Sequence, residues 1–161
     1  MDKLDIVTDE SGNEVVLLPE IIFSNKQNIN SNDVEDYLGK YVGELIEIAE
    51  TRDIIYIGNK FPDEYGGSSY TRKTKGARAK AKANAAQGIR EMVEIATDKV
   101  YRENHKEKHS EDAHNGWFYY VTRFAIPLYN NEKKTGEYNV YSACLVVNHA
   151  ANGKMYLYDV V

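Results

Sequence analysis

One cysteine in 161 residues excludes an internal disulfide framework, and Cys144 lies in an apolar run that suits a buried, inert thiol. No apolar stretch approaches the ~18 residues needed to cross a membrane. The first ten residues, MDKLDIVTDE, carry charges throughout and do not read as a signal peptide. A reducing cytoplasm is therefore the expected compartment. Also missing are internal repeats, a nucleophile elbow, a P-loop and a dinucleotide fingerprint, so the familiar signatures of hydrolase and nucleotide chemistry give no lead.

Phe and Trp are sparse, at 4 and 1, whereas Tyr numbers 13. Tyrosine joins a large apolar body to a polar tip, which suits half-buried sheets and wet binding surfaces. Hydrophobic residues make up 42% and charged residues 28%, the balance of a folded globular chain able to bury its own core.

The net charge of −5 conceals an asymmetry. Residues 1–64 hold 15 acids against 5 bases, while residues 65–108 hold 11 bases against 5 acids. Arg72, Lys73, Lys75, Arg78, Lys80 and Lys82 place six cations in eleven residues with no acid among them. Such a cluster serves either as a solvated helix face or as a local phosphate-binding patch on an acidic protein.

Leu4–Thr8 and Val15–Leu18 flank a turn-forming Glu-Ser-Gly-Asn and predict a small hairpin, so residues 1–30 read as an extension or hairpin ahead of one domain over 31–161. Val34, Tyr37, Leu38, Tyr41, Leu45 and Ile48 recur at helical spacing, although Gly39 and Gly43 weaken that helix. Ile54–Ile57 reads as a strand and residues 59–76 as a loop. The stripe from Ala77 to Val100 predicts a long helix that Gly88 kinks or divides. Trp117–Ile126, Tyr138–Val147 and Met155–Val160 read as three strands of an antiparallel meander, the last two joined by Asn152-Gly153. The expected fold is α+β, with helices in the N-terminal and central parts packed on a C-terminal antiparallel sheet.

His105, His109 and His114 fall between the central helix and the first meander strand. They lack the glutamate placement and cysteines of zinc patterns, and Lys106 and Lys108 oppose a cation. No metal or other cofactor is expected. A loop histidine titrates near neutrality and suits either general acid–base work or surface decoration. Arg123 sits within an apolar strand, so its guanidinium either snorkels to solvent or enters a polar site where it can clamp phosphate. Ser68, Ser69, Tyr70 and Thr71 add hydroxyls ahead of the cationic helix, as an N-cap or an anion site.

The string FPDEYGGSSYTRKTKGARAKAKANAAQGIREMVEIAT, then ENHKEKHSEDAHNGWFYYVTRFAIP and GKMYLYDVV, resembles domains associated with large polyvalent proteins of phages and conjugative elements. That group is linked to the barnase, EndoU, colicin and RelE-like nuclease superfold. The likeness covers roughly residues 34–161, with Ser69, Tyr70, Lys80, Lys82, Lys108, His109, Trp117 and Arg123 on its motif positions. It implies a barnase/RelE-like arrangement and metal-independent cleavage of RNA by attack of a ribose 2′-hydroxyl on the adjacent phosphate. In that reading His109 is the base, Arg123 stabilises charge on the phosphorane, and Tyr70 or Ser69 serves the leaving group. Arg72, Lys73, Lys75, Arg78, Lys80, Lys82 and Lys108 hold the nucleic acid. A non-catalytic module that binds nucleic acid, a protein partner or the parent polypeptide is the alternative. No membrane partner is expected.

Overall fold

The computed structural model of the chain describes residues 3–23, 31–67, 76–103 and 115–161. Within them an alanine-rich segment is enclosed by a mixed sheet, and the enclosure explains the alanines. Every residue from 81 to 89 is buried, and only small side chains let sheet and loops approach a helix from several sides. The segment is α3 (Ala77–Ala85), a 3-10 turn over Ala86–Gly88, and α4 (Ile89–Glu94). Before it come α1 (Ser31–Leu38), a 3-10 turn at Gly39–Tyr41, and α2 (Phe61–Gly67).

Among the described residues eight strands form one sheet. They are β1 (Ile6–Thr8), β2 (Glu14–Leu17), β3 (Leu45–Glu47), β4 (Ile54–Tyr56), β5 (Thr97–Arg102), β6 (Trp117–Asn130), β7 (Lys133–His149) and β8 (Met155–Val160). Their order is β1-β2-β6-β7-β8-β4-β3, with β5 also along β6. Strands β6, β7 and β8 pair antiparallel in sequence order. The sheet as a whole is mixed, because β2 runs parallel to β6 and β4 parallel to β8. An α+β architecture is therefore present, in a larger sheet than a three-strand meander.

Several boundaries differ from the sequence reading. Helical spacing after Leu38 does not persist: Gly43 adopts φ +94°, and Leu45, 55% exposed, opens β3. The expected loop at 59–76 contains α2, where Pro62 occupies a first-turn position that needs no N–H, and Phe61 and Tyr65 bury one face. The long helix stops at Glu94, and residues 97–102 form β5 against β6. Between β6 and β7 the chain turns on Asn131 and Glu132, both at positive φ (51° and 69°), a tight turn whose twist matches a long hairpin and which extends both strands beyond the expected Ile126 and Tyr138.

The expected hairpin forms as β1 on β2, and β2 joins it to β6 of the sheet. Val16 and Leu18 are fully buried. The Asn84 Oδ1 accepts from the Ile22 and Phe23 amides, and its Nδ2 donates to the Phe23 and Lys80 carbonyls. Gln87 donates to the Glu20 carbonyl, and Glu91 accepts from the Leu4 amide at 3.0 Å. The polar residues of the enclosed segment thus satisfy backbone groups that lie outside the strands on either side of the β1–β2 hairpin.

Candidate functional site

On α3, Arg78 and Lys82 are one turn apart and share a face with Ala81 and Ala85. Lys82 is buried to 8% exposure, and its Nζ lies 2.7 Å from the Asp159 Oδ1. The register shifts between Val146 and Val147 opposite β8, next to Asp159, and Asp159 and Val160 are 2% and 3% exposed. Asp159 also accepts from the Val160 amide at 2.8 Å.

Tyr65 of α2 completes the group. Its hydroxyl donates to the Lys82 carbonyl, and the Lys82 ammonium stands 4.7 Å from its ring centroid. Burial pushes the Lys82 ammonium below the ordinary lysine value, with Asp159 opposing that shift. Burial, reinforced by the Asp159 charge, holds the Tyr65 phenol well above its usual value. The group is a neutral, desolvated floor.

Above this floor is a cleft of about 410 Å³. Arg78 stands exposed at its mouth, and Phe124 and Tyr141 form one wall as a stacked pair, centroids 5.4 Å apart at 16°. Val160 and Val161 also line it. Cation at the rim, aromatic wall and closed floor suit a planar group carrying an anion. The floor itself does not offer Lys82 to a phosphate, because that would strand Asp159 as a buried charge.

The remaining sequence-predicted residues distribute as follows. Ser69, Tyr70, Arg72, Lys73, Lys75, Lys108 and His109, with His105 and His114, lie outside the described residues. Arg78 is exposed and Lys80 half-buried, but Lys82 is not on a solvated face with them. Arg123 alternates with Phe124 on β6 and is half-buried on the sheet face opposite Phe124 and the cleft; it does not converge with Lys82. On that opposite face Arg102 lies 5.8 Å from the Tyr119 ring centroid. Trp117 is buried with its ring 5.1 Å from Tyr158, and His149 packs against Phe118. Burial pushes the Cys144 thiol up, away from the thiolate a nucleophile needs. Among the described residues, no three His, Cys, Asp or Glu side chains are grouped to hold a metal, and no helix is long and apolar enough to cross a membrane.

Asp159 and Tyr65 escaped the sequence reading. Asp159 carried a usable signal: an acid inside the apolar strand MYLYDVV needs a buried cation. Tyr65, amid Gly and Pro, had none.

Comparison with family models, with curated proteins and with solved structures returns no match to this chain.

Proposed function

We propose that the chain is an RNA-acting domain of the metal-independent endoribonuclease type, of the kind carried by mobile-element proteins, with a barnase/RelE-like use of its sheet. The observation that carries the reading is the cleft under α3, with Arg78 at its mouth and the Phe124/Tyr141 stack as its wall. A single-stranded nucleotide fits this chemistry: base against aromatic wall, phosphate at the guanidinium. The α3 cations Arg78 and Lys80 and the preceding Arg72, Lys73 and Lys75 would extend the phosphate track. His109 would take the 2′-hydroxyl proton, and Tyr70 or Ser69 would serve the leaving oxygen. Arg123, on the opposite sheet face, leaves the cleft's phosphate contact to Arg78.

A second reading, a nucleic-acid-binding module without cleavage, is favoured by one observation: Lys82 is committed to Asp159, and Arg123 does not join it. Incubation of the folded protein with single-stranded RNA in EDTA separates the two. Products ending in a 2′,3′-cyclic phosphate, with a rate lowered roughly 10²–10⁴-fold by His109→Ala, support the enzyme. Binding without any cleavage supports the module.

A further inference from the structure

Strand β7 outruns the strand beside it. Strand β8 pairs with it only from Leu145 to His149, and the last bonds on that edge run both ways between Cys144 and Val161, at 2.8 and 2.9 Å. Past that point, among the described residues, β7 has β6 on one edge and no strand on the other.

Alternation along an antiparallel strand decides which groups face the open side. Cys144 gives both of its backbone groups to Val161, so Ser142, Val140 and Tyr138 turn theirs the same way. Strand β6 agrees: Ala125, opposite Val140, gives its carbonyl to the Leu18 amide at 2.9 Å on the far side of β6. Nothing blunts this edge. Residues 138–143, YNVYSA, hold no charged residue and no proline, and they keep regular register with β6. Val140 is 59% exposed and Tyr138 39%. The edge also borders the cleft under α3, which Val140, Tyr141, Ser142 and Ala143 help to line, with Arg78 at its mouth.

An occupant of this edge must present N–H and C=O groups at the repeat of an extended backbone, a property of a polypeptide strand and not of a nucleic acid, a lipid or a small anion. The β7 of a second copy does not fit. Any register that sets it antiparallel against Ser142 carries its own continuation, the Asn131–Glu132 turn at the least, into the place opposite Cys144 that Val161 fills.

We propose that the free edge of β7 over residues 138–142 is a strand-addition site for an extended peptide of a protein partner, laid antiparallel to β7 and in line with β8. Peptide side chains opposite Tyr141 and Ala143 share their face of the sheet and enter the cleft beside the Phe124/Tyr141 stack, which asks for apolar residues there; an acid next to them meets Arg78. The site stands on backbone groups and does not depend on RNA binding or cleavage.

The probe is acetyl-Val-Thr-Val-Thr-Glu-amide, titrated into the full chain and followed by backbone amide NMR. In the free protein the Val140 and Ser142 amides should exchange with solvent faster than those of Tyr141 and Ala143, which bond to β6. On saturation, with Kd near or below about 1 mM, they should shift and become protected. N-methylation of the threonines, whose N–H groups face β7, should weaken binding about tenfold or more; N-methylation of the valines, whose N–H groups face away, should not. Val140→Pro, which removes a donor that β6 does not use, should keep the fold and abolish binding. The methylated peptides decide the matter even if that variant fails to fold. The proposal is overturned if the peptide does not bind, if both methylated peptides bind alike, or if folded Val140→Pro binds as wild type does. A short single-stranded RNA that shifts the Val140 and Ser142 amides where the peptide does not would overturn it in favour of nucleic acid. Concentration-dependent dimerisation that shifts them without peptide would overturn it in favour of a second copy.

Discussion

Replacing Lys82 with Met removes a buried ammonium while keeping much of its length, and tests whether the ion pair holds α3 to β8. The pair is 2.7 Å apart with side chains 9% and 3% exposed, so Asp159 would lose the Lys82 charge in a place with little access to water. Breaking a buried pair from one side costs about 3–5 kcal/mol. At 2–4 °C per kcal/mol for a chain of this size, Tm should fall by roughly 6–20 °C. Adding Asp159→Asn removes the stranded charge and keeps an acceptor for the Val160 amide. The double variant should therefore recover about 2 kcal/mol or more of the loss, read from urea denaturation as a coupling energy. A Lys82→Met cost below about 1 kcal/mol, or costs that simply add in the double variant, would refute the reasoning.

Three further outcomes follow from the packing. Burial alone would raise the Asp53 carboxyl, but hydrogen bonds from Lys99, Tyr120 and Thr51 and the Lys99 charge outweigh it and hold it below 3.8. That stabilisation is complete above the unfolded value and lost as pH falls through the folded one. Asp53→Asn should therefore cost about 1 kcal/mol at pH 7, the gap to wild type closing below about pH 4 in thermal melts. Gly116 has φ +95°, and a Cβ there would meet the Arg102 carbonyl at 2.7 Å; Gly116→Ala should lower stability by about 1–3 kcal/mol and loosen the β5–β6 pairing, seen by amide exchange. Asn84→Ala should cost about 3 kcal/mol or more in denaturant, since it orphans the Ile22 and Phe23 amides; a loss under 1 kcal/mol would mean residues 18–23 do not depend on it.

Legibility in the sequence followed local chemistry. The C-terminal strands announced themselves because Val, Tyr and Ile alternate between turn residues, and their cores at 117–126, 138–147 and 155–160 lie within β6, β7 and β8. Parallel pairings of β2 with β6 and β4 with β8 left no such mark, because they join segments a hundred residues or more apart by backbone bonds that any side chain permits. The Ala/Lys run misled for a related reason. Alanine is compatible with a solvated helix and with one enclosed on all sides, and only the tertiary partner Asp159 decides that Lys82 is inside. Arg123 was recognisable as an outlier in an apolar strand, but which sheet face the helices would cover was not written in β6 itself.

The central claim is that single-stranded RNA occupies the cleft under α3, and binding measured across salt tests it most directly. Wild-type affinity for a short single-stranded RNA should fall steeply with salt, and Arg78→Ala should reduce the log–log slope by about 0.7, the single-strand value for one phosphate contact. Tyr141→Ala should weaken binding by about 1–3 kcal/mol, the worth of one stacked base, with the slope unchanged. Arg123→Ala, on the opposite face, should leave both quantities as they are. Absence of RNA binding at low salt, or a loss in Arg123→Ala that Arg78→Ala and Tyr141→Ala do not share, would contradict the account.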